Sequence, residues 1–214
     1  MTKSQRWQRR KEARPAEILA AALDVFRARG FAAARLEDVA AKAGVSKGTL
    51  YLYFQSKEAL FKALVREAVL PNIERAEALV RAHPGPASTI LAELLTNFGL
   101  LMATDDRVSA FPKLMIAEAG NFPELARFYL HKVIRRGMRL MAGIIRRGIE
   151  TGEFQAVDPA AAARLAVAPI LFLALWRHSF AAFDPGAPKP RRIVESHVQV
   201  FLAGLAARKE RHEA

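Results

Sequence analysis

Apolar residues along this chain recur three and four positions apart, the spacing of one face of an α-helix. Ile18, Ala22, Val25 and Phe26 form such a stripe between Pro15 and Gly30. Val194, Val198, Phe201 and Leu205 form another near the end. The pattern predicts helices at about 14–29, 36–43, 47–54, 56–82, 86–103, 106–119, 123–151, 158–183 and 190–209. Glycine and proline fall mostly between these segments, where they stop helices. Pro71 is expected to kink the fourth helix or end it early, and Pro169 to bend the eighth. No period-two alternation and no internal repeat is present. Three short helices crowd the first quarter, and longer ones follow. The expectation is an all-α protein of about nine helices. A three-helix head spans 14–57, behind a basic arm at 1–13. Helix 56–82 links it to a body over 84–214.

The head has the parts of a helix-turn-helix. Glu37 and Asp38 sit in the first turn of its second helix, where the helix dipole favours anions. Gly44 supplies a left-handed turn, Val45 plugs the gap, and Ser46 caps the third helix. Two short helices joined this way make the motif. At about 100° per residue, Leu50 and Phe54 share one face of the third helix. Gly48, Thr49 and Leu52 fall on the other, rimmed by Lys47, Tyr51 and Tyr53. A solvated face would carry Glu, Lys or Gln. This one is small, apolar and hydroxylated, which suits close approach to a second surface. Thr49 can bond a base edge or a phosphate, and Leu52 can pack on a thymine methyl. Tyrosine hydroxyls can donate to phosphates. The helical wheel leaves Tyr53 between core and phosphate.

Charge sharpens this picture. The chain has 214 residues and a net charge of +12. Residues 1–57 hold 12 Lys/Arg against 5 Asp/Glu, so this quarter carries +7 of the total. That is the footprint of a polyanion-binding end. The arm adds Arg6, Arg9, Arg10 and Lys11, which can follow a DNA backbone or enter a minor groove. There is no cysteine. Disulfides are excluded, and a cytoplasmic setting is expected. The longest apolar run, Ala160–Trp176, is interrupted by Arg164 and Pro169 and falls short of the ~20 residues of a membrane span. It reads as a buried helix, so no membrane partner is expected.

The stretch GFAAARLEDVAAKAGVSKGTLYLYFQSKEALF, Gly30–Phe61, resembles the DNA-binding segment of the TetR family of transcriptional regulators. The resemblance implies a homodimer whose two recognition helices enter successive major grooves of a double-stranded operator. It puts Lys47, Gly48 and Thr49 at base-reading or groove-lining positions. Tyr51, Tyr53 and Lys57 fall where the family clamps phosphates. One departure stands out. The family usually places Thr or Ser just before the second helix, and this chain has Ala34-Arg35. The cap is lost or moved there, and Arg35 is expected to replace a neutral phosphate contact with a charged one.

The body, from about Leu114 through Gly152, resembles the C-terminal half of the AefR-like subgroup. Its helix over 123–151 lines up Leu130, Ile134, Met138, Met141 and Ile145, opposite a basic, solvated face. The last two helices are apolar on more sides than one chain needs. The surplus suits a four-helix interface with a second copy, with Val194, Val198, Phe201 and Leu205 as the interface candidates. The resemblance also implies a pocket for a small lipophilic effector. Leu101, Met102, Phe111, Met115 and Phe128 are candidates for its wall, since methionines and aromatics make adaptable apolar linings. His131, Met138, Phe172, Trp176 and Phe180 complete the set. Glu118, His131, Arg135 and His178 are the polar groups expected to orient a ligand.

No histidine or acidic spacing fits a metal, and no Gly-rich phosphate loop or nucleophile elbow appears. The chain is therefore read as no enzyme, with no cofactor. The leading expectation is a ligand-responsive DNA-binding regulator, a repressor on a palindromic operator. The alternative is an architectural protein that binds DNA by charge alone, without sequence preference.

Overall fold

The computed structural model describes the backbone of residues 3–207 and the side chains of residues 14–207. Among the described residues the fold is helical throughout, without a strand. The chain divides into two compact units. One gathers the residues up to Leu70 with Leu114–Tyr129, and the other gathers Pro71–Lys113 with the chain from Leu130 on. This differs from the sequence expectation, which left 114–129 with the body.

In the first unit, α1 (Lys3–Ala33) starts eleven positions before the expected helix. The contacts predicted for the basic arm at 1–13 lie outside the described side chains. Ile18, Ala22, Val25 and Phe26 are buried as their spacing requires. Gly30 breaks the helix with φ 76°, a left-handed value open to glycine. Next come α2 (Leu36–Lys42), α3 (Lys47–Tyr53) and α4 (Lys57–Leu64). Buried Val39, Ala40, Leu50, Leu60 and Phe61 close a small core with α1. Phe31 packs against Phe26 and Phe61 with ring centroids 5.2 and 5.7 Å away.

A π-helical turn, Val65–Val69, joins α4 to α5 (Leu70–Ala82) without interrupting the helix. It lies directly before Pro71. Proline lacks an N–H and clashes with the carbonyl four residues back, and the helix widens locally just ahead of it. A second π turn, Leu130–Ile134, joins α8 (Pro123–Tyr129) to α9 (Arg135–Glu150). If these joined segments are counted as single helices, the described residues hold nine, as the periodicity predicted.

The second unit is built on α6 (Ala87–Thr104), α9, α10 (Pro159–Arg177) and α11 (Pro190–Leu205). By length and composition α6 and α10 could each cross a membrane, but here both contribute buried residues to this core. Ile90, Leu91, Leu95, Ile145, Ala163, Ala166 and Ile170 fill its centre. α6 and α11 meet closely at Gly99, where a Cβ would lie 2.6 Å from Val194. At Gly148 a Cβ would lie 2.1 Å from the Phe154 ring. A short α7 (Asp106–Glu118) completes the set of helices.

α11 corrects the interface expectation. Val194, Val198 and Leu205 are buried within this chain, and Phe201 packs on the same cluster. The stripe is the inner face of α11. The exposed apolar residues are on the other faces: Val200 on α11, 71% exposed, and Leu165 and Phe172 on α10.

Candidate nucleic-acid interface

The α2–α3 turn is built from backbone bonds that only a tight reversal permits. Gly44 N–H donates to Ala41 O at 3.2 Å, and Val45 N–H to Ala40 O at 3.0 Å. Gly44 itself has φ 64°. Ser46 then caps α3: its Oγ accepts from Thr49 N–H at 3.1 Å and lies 2.8 Å from Thr49 Oγ1. The hydroxyl pair fixes the first turn of α3 and holds the Thr49 side chain beside it. No such cap exists at α2. Arg35 occupies its N-cap position with extended backbone, and its side chain makes no capping bond. The predicted loss of that cap is real, and Arg35 is exposed.

Along α3, Leu50 and Phe54 are buried and Leu52 is 84% exposed. Gly48 faces outward, with only Ser46 Oγ within 4 Å of where a Cβ would sit. Tyr51 is exposed, and Tyr53 is half-buried on the flank. The helix therefore presents a glycine, a threonine and a bare leucine on one surface.

The cations around that surface are engaged. Lys47 Nζ is 2.5 Å from Glu37 Oε1, an ion pair across the α2–α3 turn, and 5.8 Å from the Tyr51 ring centroid. The hydrogen bond from Lys47 holds the Glu37 carboxyl below its ordinary range, and the same bond raises the Lys47 ammonium above its own. Sequence reasoning missed Glu37 as a partner. The signal was there, since an acid in the first turn of α2 lies close to the start of α3. Arg29 pairs with Asp38 at 2.6 Å and Lys42 with Asp24 at 3.2 Å, fastening α2 to α1.

Lys57 points elsewhere than the resemblance implied. Its ammonium donates to three carbonyls, those of Phe31 at 2.6 Å, Ala32 at 2.9 Å and Ala34 at 3.2 Å. The break at Gly30 leaves these carbonyls outside a helix ladder, and the lysine satisfies them. Glu118, expected beside a ligand, is instead a buried acid in the head's unit, accepting Ala32 N–H at 3.1 Å.

The residues proposed for an effector pocket do not share one environment. Met115 and Phe128 fall in the unit that holds the head, and the other eight in the second unit. Phe128 lies under Lys62 and Arg66, at 5.8 and 5.4 Å. Met102, Phe111 and Met115 are buried; Leu101, Met138 and Trp176 are half-buried. Phe172 and Phe180 are exposed and flank Trp176 in an aromatic row, with centroids 5.8 and 5.1 Å apart. Both lie at the surface of the single chain. His131 is exposed as well, 3.2 Å from Arg135. His178 Nε2 meets the fully buried Ser109 hydroxyl at 2.8 Å. Among the described residues no cluster of His, Asp or Glu could hold a metal.

Comparison with known proteins matches both units. The family model described as bacterial regulatory proteins, tetR family, matches residues 18–64. That of the AefR-like transcriptional repressor C-terminal domain matches residues 89–206. The HTH-type transcriptional regulator YfiR of Bacillus subtilis is 31% identical over 71% of this chain and 73% of its own length. The fatty acid metabolism regulator protein of the same organism is 28% identical over 65% of this chain and 70% of its own. The solved structure of the regulator FadR from Bacillus subtilis, in complex with stearoyl-CoA, superposes with a TM-score of 0.67 at 23% identity. It covers 89% of this chain and 98% of its own.

Proposed function

The chain belongs to the TetR family of bacterial transcriptional regulators, and on that premise we propose that it is a repressor. It binds a palindromic operator as a homodimer in the cytoplasm and leaves it when a lipophilic effector occupies the body. The observation that carries the reading is the outer face of α3, where Gly48, Thr49 and an 84%-exposed Leu52 stand on a helix anchored by Leu50. An exposed leucine flanked by a glycine and a threonine suits the floor of a major groove, where a thymine methyl offers apolar contact. Lys47, Gly48 and Thr49 take the base edges, with Ser46 setting their turn. Arg35, Tyr51 and Tyr53 take phosphates. Lys57 serves from behind, holding the turn that carries α2.

Dimerisation is supported by the stripe of Leu165, Ala168 and Phe172 on α10, with Val200 on α11, all exposed in a single chain. Large apolar faces of this kind usually mark an interface. The effector class is supported by the similarity to the fatty acid metabolism regulator protein of Bacillus subtilis. It also fits a body with a large apolar core. On this reading the effector is a fatty-acid derivative.

Selection of bound duplexes from a random pool tests the reading. The expected product is an inverted repeat whose half-sites are one helical turn apart, about 34–36 Å. Leu52→Ala should relax preference at one base step by roughly tenfold while leaving affinity for random duplex unchanged. Recovery of no consensus would instead favour charge-driven, architectural binding.

A further inference from the structure

DNA is a polyanion, and an acid at the edge of a DNA-facing surface weakens every contact with phosphate. Glu37 stands at such an edge. It projects from the first turn of α2 to Lys47, the first residue of α3, with Oε1 and Nζ 2.5 Å apart. The Glu37 and Lys47 side chains are 52% and 60% exposed, so the pair is no buried staple. Nor is it needed to hold α2, which Arg29–Asp38 and Lys42–Asp24 already fasten to α1. The Lys47 ammonium also lies 5.8 Å from the Tyr51 ring centroid, one helical turn on. Gly48, next along α3, carries no side chain to keep a second surface away from the pair.

Held together, the two groups offer a donor and an acceptor side by side. An ammonium has several N–H donors, and its bond to Glu37 leaves the others free. A carboxylate bonded through one oxygen keeps the second free to accept. A G·C pair matches that order in the major groove. Guanine presents two neighbouring acceptors, N7 and O6, and its cytosine presents the N4 amino donor beside them. Lysine donates to the guanine while glutamate accepts from the cytosine. A T·A pair sets thymine O4 beside the adenine N6 amino group. In place of the second acceptor it has the thymine methyl, which would face the ammonium. Phosphate offers no donor to the carboxylate and meets only its repulsion.

We propose that Lys47 and Glu37 act as one specificity-determining unit that reads a single G·C base pair in each half-site, lysine on guanine and glutamate on cytosine. Glu37 is then a reader of DNA in its own right, and its ion pair stays closed while it reads. The inference rests on the regulator reading above and names one base pair of the operator.

The test uses the full chain as wild type, Lys47→Met, Glu37→Ala and Glu37→Gln. Each is put through selection from a random duplex pool. Lys47→Met identifies the base pair as the position where its consensus relaxes, and that position should be G·C in the wild-type consensus. Affinities are then measured for the wild-type duplex, for the same duplex with that pair changed to T·A, and for random duplex. Wild type should bind the changed duplex about tenfold more weakly. Glu37→Ala should lose this discrimination at the same position and at no other. Its affinity for random duplex should rise, with a salt slope steeper by about one, because the freed lysine can meet a phosphate. Glu37→Gln keeps an acceptor oxygen without the charge, so it should keep most of the discrimination. The inference is overturned if Lys47→Met relaxes no position, or one that is not G·C. It is also overturned if Glu37→Ala discriminates as wild type does, the mark of an acid that only repels, or if glutamine loses as much as alanine. A wild-type chain that selects no consensus overturns the regulator reading and this inference with it. A clear consensus without the shared G·C position overturns the inference alone.

Discussion

Glu153 is the sharpest test of how the second unit holds together. It lies in the turn between α9 and α10, one residue after Gly152 at φ 74°. From there it reaches the first turn of α6, whose N-cap position is Pro86 and offers no side-chain cap. Its carboxylate accepts the N–H of Ala87 at 2.8 Å, the N–H of Ser88 at 2.9 Å and the hydroxyl of Ser88 at 2.7 Å. The Thr151 hydroxyl donates to it as well, at 3.1 Å. Partial burial pushes the carboxyl up, but the Ser88 and Ala87 donors and the Thr151 hydroxyl more than reverse this, holding it at about 2 against an ordinary 4.5. At about 1.4 kcal/mol per pKa unit, that gap sets a ceiling of roughly 3 kcal/mol, and solvent screening at a half-buried site lowers it to about 1–2. The folded value is below the unfolded one. The stabilisation is therefore complete above about pH 4.5 and is lost as pH falls toward 2. Glu153→Gln should lower the melting temperature at pH 7 by roughly 3–6 °C for a chain of this size. Melts of both proteins should converge between pH 4.5 and 2. Taking the difference between the proteins cancels the other carboxylates, such as Glu77 beside Arg136. A difference that stays constant down to pH 2, or that is absent at pH 7, would refute the reasoning.

Two further outcomes follow from packing. Gly148→Ala puts a Cβ against the Phe154 ring at 2.1 Å, so urea unfolding should show a loss of about 1–3 kcal/mol. Phe172→Glu combined with Val200→Glu places charges on exposed apolar surface of α10 and α11. The single chain should keep its helical circular dichroism, with a melting temperature lowered by the loss of dimer linkage, while light scattering should report half the wild-type mass.

What the sequence made legible divides by distance along the chain. Ser46 was readable as a cap because its partner, Thr49, is three residues away. The buried and exposed faces of α3 were readable because helix periodicity is local. Glu153 was not, since its partners are 65 and 66 residues away. Nor was Glu118, whose partner Ala32 is 86 residues away. Periodicity also says that a helix has an apolar face without saying what covers it. Val194, Val198 and Leu205 looked available for a second copy and are covered by α6, α10 and their neighbours. Lys57 misled for a related reason. A cation in a first turn reads as solvent-facing until the Gly30 break supplies carbonyls for it to meet.

The engaged cations also bear on the choice between reading sequence and binding by charge. A head with net +7 over residues 1–57 would by itself favour any polyanion. Yet Lys47, at the edge of the α3 surface, is paired with Glu37, and Arg29 and Lys42 are paired with Asp38 and Asp24. Exposed pairs of this kind are screened by solvent and weak, so a phosphate can break them. Each must still be broken, and the Glu37 carboxylate repels the phosphate that does it. This penalty falls equally on every duplex. Contacts from Gly48, Thr49 and Leu52 carry no such competition, because they depend on shape and on base edges. Placing an acid beside Lys47 therefore lowers the charge-driven part of binding and leaves the contacts of Gly48, Thr49 and Leu52 intact. An architectural protein would gain nothing from Glu37, whereas a regulator that must leave random DNA to find its operator would.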